Sequence, residues 1–597
     1  MTPATLNDIF FGAIERFRDR PAAMRARRNG HWVPLTHNQL LQRVFNLHCG
    51  LRELGLVAGD RMAILSENRP EWAIADYACL TARLADVPIY PTLTAHQACY
   101  ILRNSGAKGI FVSTPALLAE VLEQRSEVPD LRHIIVFDDG PYPEGVIGLS
   151  ELEARGAAAA SRYADWMDEA RRVTASDLAT IIYTSGTTGD PKGVMLSHGN
   201  ITSNVVASLQ VLEITAVDEC LSFLPLSHIF ERMVGHYTML QAGTVINYAT
   251  SMDALLTEMG EVRPTILASV PRLYEKIYAR ALESAMSGGV LKRSIFEWAR
   301  ATGEKRLEYF LAHRTVPAGL AFGNKLADVL VFSKLRARLG GRLRFGVSGG
   351  APLNPDICRF FIAAGLPVLE GYGLTETSPV MTVNTFSLLK PGTVGRPIPG
   401  VELQIAHDGE ILTRGPNVMM GYFNLPEATA QAIDAEGWFH TGDVGLIDAD
   451  GCLKITDRKK DLIVTAGGKN IAPQPIEALL KTNKFFLNAV MLGDKRKFPI
   501  MLLVPNQSAV TQWLTIKGRA LQPGEDIAKM PDVQEKLERE ARKSLRDLAH
   551  FEMPKKFLVL PHDFSIERGE LTPKMSVRRK VVEEHYKAQI ENLFLDS

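Results

Sequence analysis

Short apolar runs that alternate with helix-compatible stretches set the fold class of this chain. Residues 61–65 have an apolar centre, 72–84 have mixed helical character and 86–90 are apolar again, which is the rhythm of a strand–helix–strand unit. The rhythm recurs at 107–112, at 131–137 and near 343–347, where β-branched and aromatic residues are frequent. Strands without polar alternation are buried on both faces, so the expectation is an α/β fold of parallel-rich sheets covered by helices. A length of 597 residues exceeds what one hydrophobic core organises, and at least two domains are expected.

Their boundaries follow from changes in pattern. Residues 284–339 are rich in Ala, Arg, Lys and Leu and almost free of strand-like alternation, so a helical insertion is expected there. Short strands and turns around 395–457, with a tight turn at Asp448-Ala449-Asp450-Gly451, indicate a β-rich subdomain. The charged run Asp457-Arg458-Lys459-Lys460-Asp461 precedes fresh αβ alternation. Residues 1–459 are therefore expected to form a large N-terminal domain and 460–597 a small α+β domain.

Charge and cysteine usage remove several classes of function. Lys plus Arg (67) equal Asp plus Glu (67), for a net charge of zero, so no overall field gathers nucleic acid. The six cysteines form no CxxC pair and have no histidine at zinc-ligand spacing; they read as buried, reduced thiols. The N-terminal residues lack the basic start and apolar stretch of a secretory signal, and no later run is long enough to span a bilayer. The expectation is a cytoplasmic protein. A lipid substrate would be reached by peripheral contact with the inner face of the membrane, although no amphipathic anchor is evident in the sequence.

Four strings carry chemistry. After the strand-like 178–182 comes Tyr183-Thr184-Ser185-Gly186-Thr187-Thr188-Gly189-Asp190-Pro191-Lys192-Gly193. Its small hydroxylated residues and glycines let backbone N–H groups converge on an anion, and Lys192 adds charge. It is not a Walker A loop, because Asp190 and Pro191 separate Gly189 from Lys192 and no Ser or Thr follows the lysine. In Gly371-Tyr372-Gly373-Leu374-Thr375-Glu376-Thr377 an aromatic ring suited to stacking on a purine is followed by a hydroxyl and a carboxylate suited to Mg²⁺. Upstream, Ser348-Gly349-Gly350-Ala351 is small enough for a flat base to approach the backbone. Gly437-Trp438-Phe439-His440-Thr441-Gly442-Asp443 ends on a carboxylate able to accept from two hydroxyls. Taken singly, each string also fits an ordinary turn.

Together, and in this order along nearly the whole chain, they resemble the acyl-adenylate-forming superfamily of acyl-CoA synthetases, luciferases and peptide-synthetase adenylation domains. Glu231-Arg232 after Leu224-Pro225-Leu226-Ser227-His228, the helical insertion and Val270-Pro271-Arg272-Leu273-Tyr274 are similar to long-chain fatty acid–CoA ligases. The resemblance implies ATP, Mg²⁺ and coenzyme A as partners of a fatty acid. It places Thr184, Ser185, Gly186, Thr187, Thr188, Gly189 and Lys192 at the phosphates, with Thr184 and Glu376 serving the metal. Tyr372, Gly373, Thr375, Gly349, Gly350 and Ala351 enclose the adenine site, and Asp443 with Arg458 holds the ribose. His228 lies near the acyl carboxylate. Lys460 corresponds to the hinge of a mobile C-terminal domain, and Gly467 and Gly468 border the pantetheine path. Family members carry a Leu-Thr pair followed by an adenylating lysine. The matching stretch here, 571–580, puts Arg578 at that position by spacing, with Lys574 and Lys580 as the other candidates. Two alternatives remain open at this point: an acyl-AMP ligase that loads a carrier protein, and a protein that binds ATP and fatty acid without chemistry.

Overall fold

The computed structural model describes residues 2–184, 190–286, 289–312, 314–459, 461–466, 469–522, 524–565, 567–571 and 577–595. Residues 1–404, 412–440 and 449–453 form one compact unit, and residues 405–411, 441–448 and 454–597 form a second.

The first unit is built on two large sheets. In the eight-stranded sheet the order is Gly421–Tyr422, Lys192–Ser197, Leu178–Thr184, Ala85–Ile89, Arg61–Leu65, Gly109–Val112, His133–Val136 and Val146–Gly148. From Leu178–Thr184 onward all neighbours run parallel; the first two strands are antiparallel additions. The nine-stranded sheet has a parallel centre of Val368–Gly373, Phe345–Ser348, Ile266–Ser269, Glu219–Ser222, Val245–Tyr248 and Met24–Arg28. Antiparallel strands flank it: Val380–Val383 and Arg396–Pro397 on one side, His31–Leu35 on the other. The apolar runs are continuous because both faces are covered: Ala85–Ile89, Gly109–Val112 and the entire helix Pro70–Thr81 are buried. The stretch expected to be helical is Pro271–Met286, Gly289–Leu311, Ala318–Ala327, a π-helical turn Asp328–Phe332 and Ser333–Arg338.

One strand breaks the apolar rule. Asp86 is completely buried in Ala85–Ile89, and Asp76 is completely buried in the helix before it. Burying a carboxylate is costly without a partner. The partner is Arg232, itself fully buried, whose Nη2 contacts both Asp76 and Asp86. Its Nη1 donates to Thr180 Oγ1 at 2.9 Å and its Nε to the Tyr237 hydroxyl at 2.9 Å. The Trp72 ring covers the guanidinium at 5.3 Å. Burial raises the Asp76 carboxyl, against the opposing pull of Arg232; a proton there leaves Arg232 and Asp86 as a neutral pair.

The second unit contains the sheet Phe486–Leu492, Ile500–Pro505, Lys556–Val559, with the helices Pro473–Lys481, Gln507–Ile516 and Pro531–Ser544. The short strands expected before it form a four-stranded sheet in the order Glu402–Ile405, Glu410–Arg414, Phe439–Ile447, Leu453–Arg458. All six cysteines are buried. Among the described residues no helix is long and apolar enough to cross a membrane.

Replacing Arg232 by alanine leaves two buried carboxyl groups without their cation. The expected loss is about 3–5 kcal/mol, read as an unfolding transition at clearly lower denaturant; a change below about 1 kcal/mol would contradict the structural role assigned here.

Candidate active site

The parallel strands of the nine-stranded sheet end together, and the small-residue segments begin where they end. Ser269 pairs with Ser348, and Ser348 pairs with Glu370, so Val270 and Gly349 leave the sheet side by side, next to Gly371, which stays in its strand opposite Val383. Crevices at the carboxyl ends of parallel strands are the usual ligand sites of such sheets. Gly349 is buried: a β-carbon there would lie 3.0 Å from the Phe230 ring. Gly350 has φ +80°, which favours glycine, and is exposed together with Ala351. Tyr372 is buried, and a β-carbon on Gly373 would overlap the Pro379 carbonyl.

His228 belongs to the same cluster. It follows the strand Glu219–Ser222, and Asn68 pins the connecting segment by accepting from Leu226 N–H at 2.9 Å and donating to Ser222 Oγ at 3.1 Å. The Nδ1 of His228 accepts the Phe230 N–H at 3.0 Å, so a neutral ring carries its proton on Nε2. Phe230 thus touches Gly349 with its ring and holds His228 with its backbone.

A second group of candidates is assembled on the hairpin Leu178–Thr184/Lys192–Ser197. Thr184 stands opposite Lys192 in register; Ser185, Gly186, Thr187, Thr188 and Gly189 lie outside the described residues. Gly193 is required by crowding, since a β-carbon would lie 2.8 Å from Ile181 and 3.2 Å from Tyr183. Strand Gly421–Tyr422 adds to the hairpin edge, with Tyr422 opposite Val194. The exposed Lys192 places its Nζ 4.8 Å from the centre of the Tyr422 ring. Tyr422 in turn donates its hydroxyl proton to Glu376 Oε1 at 3.0 Å, and Met419 N–H donates to the Glu376 carbonyl at 2.8 Å. Burial, and then the neighbouring carboxylate, raise the Tyr422 phenol, so it remains a donor. The structure therefore joins Thr184, Lys192 and Glu376 through Tyr422, a residue to which sequence reasoning gave no role. Thr375 is buried in the short helical turn Thr375–Thr377.

The donor set also limits the metal it fits. Among the described residues no three His, Cys, Asp or Glu side chains converge as a metal cage. One half-buried carboxylate beside a threonine and a lysine fits Mg²⁺, which takes one or two carboxylates and fills its remaining positions from phosphates and water.

Other candidates lie in the second unit. Asp443 and Arg458 are brought together, with Nε to Oδ1 at 3.3 Å. Arg578 precedes the helix Arg579–His585, donates its N–H to the Glu570 carbonyl at 2.7 Å and turns its guanidinium toward the Gly569 carbonyl at 3.4 Å. Lys580 is exposed. Lys460, Gly467, Gly468 and Lys574 lie outside the described residues. Between the two candidates sits Arg579, to which the sequence assigned no role: it donates to Glu477 and to the Met491 carbonyl at 2.5 and 2.6 Å. Its part is to hold its own unit together.

Glu231 and Arg232 prove to be interior residues of the π-helical segment Glu231–Tyr237. Glu231 is buried with Ser222 as hydrogen-bonding neighbour, and its Oε2 has no partner among the described residues. Burial pushes its carboxyl up to about 8. Glu370, at the root of the Gly371–Thr377 string, accepts the Gly392 N–H at 3.2 Å and is pushed by burial up to about 7.

Small-residue segments at the carboxyl ends of parallel strands, with a Thr184/Lys192 hairpin end tied through Tyr422 to Glu376, define an α/β protein with a ligand crevice. The chain belongs to the AMP-binding enzyme family: residues 10–423 match that family and residues 460–597 match the AMP-binding enzyme C-terminal domain. Over 588 residues it is 37% identical to the long-chain-fatty-acid–CoA ligase FadD15 of Mycobacterium bovis, covering 97% of this chain and 96% of that one. It is 31% identical over 626 residues to the peroxisomal long chain acyl-CoA synthetase 7 of Arabidopsis thaliana, covering 99% and 86%. The fold is shared with the crystal structure of the anthranilate CoA ligase AuaEII in complex with anthranoyl-AMP, with a TM-score of 0.74, 19% identity and 98% of each chain covered.

The raised Glu231 carboxyl has a pH consequence. A folded-state value near 8 lies above the unfolded one, so the neutral acid stabilises the fold at low pH and that contribution fades as pH rises toward and through 8. Glu231→Gln keeps a neutral side chain. Its melting temperature relative to the parent is expected to be higher at pH 9 than at pH 6; equal shifts at both pH values would refute a buried neutral acid.

Proposed function

We propose that this chain is an AMP-forming long-chain fatty acid–CoA ligase. A carboxylate oxygen of the fatty acid attacks the α-phosphorus of ATP, the bond to pyrophosphate breaks, and an acyl-adenylate remains. The sulfur of coenzyme A then attacks the acyl carbonyl, losing its proton, and AMP departs with the bonding electrons. The observation that carries this reading is the continuous link from the Thr184/Lys192 hairpin end through Tyr422 to Glu376. The names of the full-length relatives support the long acyl chain.

Both reactants of the first step are anions, so neutralising charge is the main task. Lys192 and the turn beginning at Thr184 meet phosphate oxygens, and Glu376, oriented by the Tyr422 hydroxyl, takes the metal together with Thr184. Bound there, Mg²⁺ would screen the phosphate charge. Tyr372 and Gly373 with Gly349, Gly350 and Ala351 form the adenine site, and Thr375 fixes the turn that carries Glu376. His228 offers its Nε2–H to the acyl carboxylate. Asp443 accepts from the ribose hydroxyls with Arg458 beside it, and one of Lys574, Arg578 and Lys580 supplies the cation that adenylation requires. Lys460 is the hinge by which domain 460–597 changes pose between the two steps, bringing Gly467 and Gly468 to the pantetheine. The enzyme works on the cytoplasmic side, in peripheral contact with the inner face of the membrane.

Thioester formation dependent on ATP and coenzyme A, measured across acids of graded length, is expected to peak with long chains; a preference for acetate would reject the assignment. Glu376→Ala is expected to slow pyrophosphate release roughly a hundredfold to a thousandfold, and an unchanged rate would remove its metal role. Lys460→Pro should spare single-turnover adenylation while slowing thioester formation, whereas equal losses in both steps would count against the hinge.

A further inference from the structure

The helical insertion presents an apolar strip to solvent. The helix Ala318–Ala327 runs directly into the π turn Asp328–Phe332 and the helix Ser333–Arg338. Its inner side is anchored by Ala327, Phe332 and Leu335, all buried. On the opposite side Phe322 is 74% exposed, Leu326 45%, Val329 63% and Leu330 37%. These positions are spaced four, three and one apart, so they share one helical face. Large apolar side chains gathered on one face are unusual for a surface in contact with water alone.

The charge around the strip is one-sided. Between 314 and 338 there are five basic residues, Arg314, Lys325, Lys334, Arg336 and Arg338, against the single acid Asp328, in a chain whose net charge is zero. Asp328 is already held by Arg336 through both oxygens, at 2.6 and 2.8 Å. Lys325, Lys334 and Arg338 are exposed and have no ion pair among the described residues. We propose that this face, Phe322, Leu326, Val329 and Leu330 with Lys325 and Lys334, docks on an anionic lipid bilayer. The apolar side chains enter the headgroup–acyl boundary while the lysines meet lipid phosphates. A second copy of the same face would bring like charges together, which disfavours a symmetric dimer. The π turn Asp328–Phe332 shifts the helical register within the strip, so a fixed helical period in the sequence does not mark it. The inference rests on the fatty acid–CoA ligase reading, whose substrate partitions into bilayers.

The test is co-sedimentation of the full chain with vesicles of phosphatidylcholine alone, or with about one-third phosphatidylglycerol. Binding to the anionic vesicles is expected, weakened when salt is raised from about 0.1 to about 1 M. The combined variant Phe322→Ser, Leu326→Ser, Val329→Ser should lower the bound fraction about tenfold while leaving thioester formation from dissolved laurate unchanged. Lys325→Glu with Lys334→Glu provides a second variant that keeps the apolar strip intact, and it should abolish the preference for anionic vesicles. Absence of wild-type binding, or equal binding by both variants, overturns the proposal. So does a lipid-free dimer, seen by light scattering, that the serine variant dissolves. Laurate turnover without vesicle binding would sink the docking face and leave the ligase; vesicle binding without thioester formation from any acid would sink the ligase and leave the docking face.

Discussion

The buried cation of Arg232 holds the first unit in register. It lies between Asp76 on the helix Pro70–Thr81 and Asp86 on the strand Ala85–Ile89, and it also donates to Thr180. Thr180 belongs to the strand that ends at Thr184, and Arg232 comes four residues after His228. One guanidinium thereby ties the strand Leu178–Thr184 to the segment that carries the imidazole. Such a cluster adds little net stability over well-packed apolar groups, but losing one member strands the others in a low-dielectric interior. Its value is positional: the two segments cannot slide past each other without breaking charge-assisted bonds.

The remaining site groups are set by close packing and by neutral donors. Gly349 and Gly193 are positions where a β-carbon would strike Phe230, or Ile181 and Tyr183, so neighbouring chains approach to backbone distance. Tyr422 donates its hydroxyl proton to Glu376 Oε1 and so fixes the orientation of that carboxylate. In the second unit, by contrast, Asp443 faces Arg458, and Arg579 is consumed by Glu477 and the Met491 carbonyl.

The parallel strands were legible because burial on both faces leaves an uninterrupted apolar run, as in residues 61–65 and 109–112. The strings at 183–193, 348–351 and 371–377 stand out in the sequence because small residues recur in them in a fixed order along the chain. What remained hidden depends on long-range pairing. Nothing local marks Tyr422 as the partner of Glu376, 46 residues earlier, or Asp86 as the partner of Arg232, 146 residues later. Two adjacent charged residues, Glu231 and Arg232, are both in the interior, and nothing in their local sequence marks them as buried. The solvent-facing strip of the helical insertion escaped notice because its helix changes from α to π within the strip.

Phe230 reaches Gly349 with its ring and His228 with its amide, and this double engagement constrains how such a pocket can diversify. A bulkier residue at 349 would tilt the phenyl ring, and the tilt would pass to the imidazole through one hydrogen bond. Changes at Gly349 and at His228 should therefore be epistatic, their effects failing to add as those of distant sites do. Evolutionary drift in this cluster would then proceed through coordinated replacement of the trio.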